Sequence, residues 1–66
     1  MLKNKLSALM GAKRIKIYEL AEMSGVSRST IFRLYYDKTN TISFATIENI
    51  CKALECTPND LFEVVD

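Results

Sequence analysis

Arg28, Ser29, Phe32 and Arg33 fall within six consecutive positions. Stepped at about 100° per residue, they share with Tyr36 the side of a helix opposite Ile31 and Leu34. A guanidinium presents a planar fork that matches two acceptors at once, either guanine O6 and N7 or phosphate oxygens. Ser29 can donate or accept a hydrogen bond at a base edge. The Phe32 ring suits a thymine methyl or, equally, sideways packing onto a flanking loop, and Tyr36 has the same two options. No comparable set exists for catalysis. The chain has no histidine, no acid and base pair with recognisable geometry, and hydroxyl residues with capping or surface roles. Cys51 and Cys56 lack the spacing of a zinc site or a redox pair, and Cys51 reads as core. We expect neither an enzyme nor a cofactor or metal.

These side chains need a frame, and residues 17–34 supply one. Leu20 and Ala21 lie on the inner side of a first helical stretch, with Ala21 small enough for a second helix to approach closely. Gly25 allows a sharp turn. Val26 plugs the hinge, Ser27 can cap the following helix through its hydroxyl, and Ile31 and Leu34 return to the core.

The rest of the chain reads as further helix. The first is expected from Leu2 to Met10, with Leu2, Leu6 and Leu9 or Met10 inward and Gly11 ending it. Helices follow at Ile17–Met23 and Arg28–Tyr36. After a polar turn at 37–42, Ser43 or Thr41 caps a helix whose inner stripe is Phe44, Ile47, Ile50, Cys51 and Leu54. Thr57, Pro58 and Asp60 give the last helix a cap, a first-turn proline and a first-turn acid, and Leu61 and Phe62 close the core. Strand-like alternation is absent over any useful length. We therefore expect an all-α fold of compact five-helix type, with residues 1–66 as a single domain.

Chain length allows one domain with a small core, since a chain of 66 residues buries only about 60% of its unfolded surface. The net charge of +1 conceals an asymmetry. Residues 1–38 hold eight basic residues against three acidic, while residues 39–66 hold Lys52 against five acidic. One part can attract phosphate and the other repels it. No stretch has the roughly 20 apolar residues that span a bilayer, and no hydrophobic run follows Met1–Lys5. We expect a cytoplasmic protein with no membrane or small-molecule partner.

The motif resembles the Cro/C1-type (XRE) helix-turn-helix family of small bacterial and phage transcriptional regulators. Leu20, Ala21, Gly25, Val26, Ser27, Ile31 and Leu34 match its motif, and Thr46–Leu54 followed by Asp60, Leu61 and Phe62 matches a second block. The resemblance implies a lambda-repressor-like fold and a sequence-specific double-stranded DNA-binding regulator, commonly a repressor. Arg28, Ser29, Phe32 and Arg33 are then the base-reading candidates. Lys16, Ile17, Ser27, Tyr36, Lys38, Thr39, Asn40 and Thr41 are the phosphate-binding candidates. A homodimer on a palindromic operator is implied, paired through the C-terminal helix region at Leu54–Pro58 and Phe62–Val65. The rival reading is a protein-interaction module of the same fold, such as an antitoxin or adaptor.

The chain also departs from the family. Relatives often carry Ser-Gln where Lys16 and Ile17 stand, an arginine and glutamate pair in place of Met10 and Tyr35, and a glycine at Asp37. We expect an apolar contact between Met10 and Tyr35 to replace the ion pair, and a left-handed backbone to be less easily reached at Asp37.

Overall fold

Hydroxyl side chains set the starts of three helices. Ser27 Oγ accepts from the backbone N–H of Thr30, Ser43 Oγ from that of Thr46, and Thr57 Oγ1 from that of Asp60. Each satisfies a donor that the first helical turn leaves unpaired. Ser43 rather than Thr41 is therefore the cap of its helix. A computed structural model describes residues 1–66. In chain order it contains β1 (Leu2–Asn4), α1 (Leu6–Lys13), α2 (Ile17–Ser24), α3 (Arg28–Tyr35), α4 (Phe44–Leu54), α5 (Pro58–Leu61) and β2 (Phe62–Val64). No helix is long and apolar enough to cross a membrane.

The five expected helices form, but the fold is not all-α. Strands β1 and β2 pair antiparallel, with Leu2 opposite Val64, Lys3 opposite Glu63 and Asn4 opposite Phe62. The ladder continues at both ends, through Val65 N–H to Met1 O at 2.8 Å and Lys5 N–H to Leu61 O at 2.7 Å. This pairing takes Leu2–Asn4 out of the expected first helix. Asn4 Oδ1 then accepts from Leu6 N–H at 3.1 Å, a side-chain turn that opens α1 four residues later than periodicity predicts.

Three helices end alike. Arg14, Asp37 and Glu55 hold left-handed backbone at φ of 55°, 55° and 53°. The residue after each donates back to the carbonyl five positions earlier: Ile15 to Met10, Lys38 to Arg33 and Cys56 to Cys51. This is the Schellman closure, usually built on glycine. Gly11 does not end α1, which runs on to Lys13. In α4 the closure sets Cys56 beside Cys51; burial, with Cys51 adjoining, pushes the Cys56 thiol up to about 11.

Nine residues form the buried core: Leu6, Met10, Leu20, Ile31, Leu34, Ile50, Cys51, Leu54 and Leu61. All are apolar, so α1 to α5 are joined by one continuous cluster. Phe44, expected on the inner stripe of α4, is instead 89% exposed. It is the first residue of that helix and overhangs the edge of the core.

The α5 start gives a pH prediction. Asp60 Oδ2 accepts from the Thr57 N–H at 3.0 Å and from its hydroxyl at 3.1 Å, which holds the carboxyl below its ordinary value. A depressed folded-state pKa stabilises the fold above the unfolded value, and that contribution is lost as pH falls through the folded one. Thermal midpoints of the wild type should fall more steeply on acidification below about pH 4 than those of Asp60→Asn. Parallel curves would show that the cap carries no linkage.

Candidate nucleic-acid interface

The turn between α2 and α3 forms as the sequence requires. Gly25 takes φ of 75° and donates to Ala21 O at 3.0 Å. Ser24 Oγ donates to Leu20 O at 2.6 Å and accepts from Val26 N–H at 3.1 Å, so one hydroxyl bridges the turn. Leu20, Ile31 and Leu34 are buried beneath it. That burial fixes the rotation of α3 and turns Arg28, Ser29, Phe32, Arg33 and Tyr36 to the outside, all of them exposed.

The two flanks of α3 differ. On one side Arg33 joins Thr30, Thr39, Thr41, Ser43 and Thr46 around a concavity of about 400 Å³. On the other, Arg28, Ser29, Phe32, Tyr35 and Tyr36 meet Tyr18 and the α1–α2 connection around an apolar groove of about 700 Å³. The Phe32 and Tyr36 ring centroids are 4.7 Å apart, and the Tyr35 ring meets Tyr36 edge-on at 4.9 Å. Arg28 holds its guanidinium carbon 6.0 Å from the Tyr18 ring centroid, at the limit of a cation–π contact. Met10 and Tyr35, paired in the sequence reading, line this same groove.

Six of the eight phosphate-binding candidates fall in two groups. Lys16 and Ile17 open α2, where the Glu19 carboxylate already accepts the Lys16 N–H at 2.9 Å. A negative charge thus stands where an anion would dock. Lys38, Thr39, Asn40 and Thr41 follow α3 in a loop braced from within. The Thr39 hydroxyl donates to Thr41 O at 2.9 Å, and Thr39 Oγ1 accepts the Thr41 N–H. Lys38 donates its own backbone N–H to Arg33 O at 2.7 Å and leaves its ammonium exposed. The Ser27 hydroxyl is engaged by the Thr30 cap and by Thr30 Oγ1 at 2.8 Å. Tyr36 is 52% exposed at the C-terminus of α3.

Asn4 is a positioning residue that the sequence reading missed. Its Nδ2 donates to Leu34 O at 3.0 Å and to Asp37 Oδ1. The N-terminal strand therefore clamps the end of α3 and the left-handed Asp37. Tyr18, exposed on the second residue of α2, was also missed as a wall of the apolar groove.

A family model described as the Cro/C1-type HTH DNA-binding domain matches residues 5–66. The chain belongs to the Cro/C1-type helix-turn-helix family. Among the relatives of this family, the chain is 33% identical over 58 residues to the uncharacterised HTH-type transcriptional regulator YozG of Bacillus subtilis (strain 168). The aligned segment covers 88% of this chain and 69% of that relative. The match includes the α2–α3 turn, α4 and α5, and it stops just short of β1.

Proposed function

We propose that this Cro/C1-type domain is a sequence-specific regulator of transcription, acting in the cytoplasm as a repressor that occupies promoter DNA. The single observation that carries this reading is the outward row of Arg28, Ser29, Phe32 and Arg33 on α3, held in place by buried Ile31 and Leu34. A helix of this width enters the major groove, where each base pair shows a distinct pattern. Arg33 and Arg28 read guanine through bidentate bonds, and Ser29 reads a base edge. Lys38 and the 39–41 loop contact the phosphates on one side, Lys16 and Tyr36 those on the other.

The protein binds as a homodimer on a palindrome, with half-sites about 34 to 36 Å apart. Pairing through the C-terminal region is supported by what is left apolar there. Val64 is 77% exposed, and Phe44, Ile47, Cys51, Cys56 and Pro58 line a groove of about 500 Å³ together with Glu48, Lys52 and Glu55. Sedimentation of the protein on its operator should give two chains per duplex; one chain per duplex would contradict the dimer.

Glu19→Gln keeps an acceptor for the Lys16 N–H while removing the charge at the start of α2. Affinity for duplex DNA is expected to rise several-fold at low salt, with the gain fading as salt increases. Anisotropy titrations at several salt concentrations check this, and an unchanged affinity would place the phosphates away from α2.

A further inference from the structure

We propose that the apolar groove beside α3 binds a small amphipathic anion, a flat aromatic ring system bearing a carboxylate or sulfonate, and that this ligand and duplex DNA exclude each other. The site stands on its own geometry, and the exclusion rests on the DNA-binding reading. The groove holds about 700 Å³, within the range of roughly 300–1,000 Å³ of clefts that take small ligands. Tyr18, Phe32 and Tyr36, each about half open to solvent, gather in it with Tyr35. Rings left bare together beside one helix mark a binding surface, unlike apolar side chains exposed singly.

Charge selects the class of ligand. The charged residues in the lining are Lys16 and Arg28, and neither is in an ion pair, since the chain's salt bridge joins Lys52 to Glu48 on α4. Glu19, whose carboxylate accepts the Lys16 N–H, is outside the lining. An anion in the groove therefore meets two free cations and no carboxylate. The Arg28 guanidinium carbon stands 6.0 Å from the Tyr18 ring centroid, so a fork for two anionic oxygens and an aromatic face lie within reach of one small molecule. The concavity on the opposite flank of α3 has Arg33 and hydroxyl groups but no aromatic ring, and gives a flat ligand nothing to stack on.

No single stretch of sequence announces the groove, which is why residue types alone point to no small-molecule partner: it forms where the α1–α2 connection, α2 and α3 meet. Arg28, Ser29 and Phe32 belong both to its lining and to the outward row on α3. A ligand seated there covers the edge of α3 that faces a base pair. Two ligands that need the same side chains weaken each other equally, so an anion at ten times its dissociation constant lowers operator affinity about tenfold.

The probe is anilinonaphthalene sulfonate, whose fluorescence rises in apolar surroundings, beside phenylnaphthylamine, which has the same rings without the sulfonate. Both are titrated into the full chain, Arg28→Gln and Tyr18→Ala, with circular dichroism verifying that each variant folds. One sulfonate dye should bind per chain. Arg28→Gln should weaken it at least about fivefold and leave the neutral dye within about twofold. Tyr18→Ala should weaken both dyes at least about threefold. Added to the wild type on its selected, labelled operator, the sulfonate dye at ten times its dissociation constant should reduce DNA affinity about tenfold in anisotropy. If either substitution leaves the affinity of the sulfonate dye unchanged, or if dye and operator bind together without mutual loss, the proposal is overturned while DNA binding stands. If the wild type selects no duplex, the DNA-binding reading fails and the exclusion with it, and the dye titrations alone decide the groove.

Discussion

Leu20→Ala is expected to leave the chain largely unfolded at 37 °C. Leu20 is fully buried in α2, in a core of nine residues that also supports Ile31 and Leu34 of α3. Removing a leucine side chain from such a site costs about 2–5 kcal/mol, because the lost burial is compounded by the cavity left behind. A domain of 66 residues has in total only about 3–10 kcal/mol of stability, from roughly 0.05–0.15 kcal/mol per residue. The deletion therefore removes a large fraction of the whole. Thermal melts followed by circular dichroism should show the midpoint lowered by about 10 °C or more. A midpoint within about 3 °C of the wild type would mean that the α2–α3 packing is not what holds α3 in place.

Arg33→Glu has the second large effect, on binding rather than folding. Arg33 is exposed on the last turn of α3 and makes no ion pair, so its loss leaves the core untouched. A bidentate arginine to guanine is worth about 1–3 kcal/mol of discrimination. Glutamate adds repulsion from the phosphates to that loss. We expect affinity for the selected operator to fall at least about 100-fold, with an unchanged melting profile. Retained operator binding would move the reading face away from Arg33. Loss of a cellular regulatory effect with duplex binding intact would instead favour the protein-interaction module.

The helix-turn-helix was legible because its signals are local. Gly25, Ser27 and the spacing of Leu20, Ile31 and Leu34 each act over a few residues, and tertiary packing agrees with them. The terminal sheet was not legible. Its strands are three residues long, too short for alternation to show, and they pair across almost the whole chain. Pairing at that separation leaves no trace in local periodicity.

The end of α1 was misread for a related reason. Left-handed closures normally announce themselves by glycine, whereas here Arg14, Asp37 and Glu55 take that backbone and Gly11 is an ordinary helical residue. Phe44 matched the core period but lies at the overhanging end of α4, where the period no longer implies burial. The outward row on α3 followed from the sequence. Its apolar flank did not, since Tyr18 reaches Arg28 only after α2 and α3 have folded together. The visible hint was an aromatic residue next to Ile17 at an exposed helix start.

The central claim is that α3 reads a defined DNA sequence, and binding-site selection from a random duplex pool tests it most directly. The purified protein should be used at near-physiological salt, where purely electrostatic binding is suppressed. We expect an enriched palindrome with guanines at fixed positions, and loss of one guanine preference in Arg33→Ala. Recovery of no common sequence, with binding that disappears as salt rises, would contradict the account.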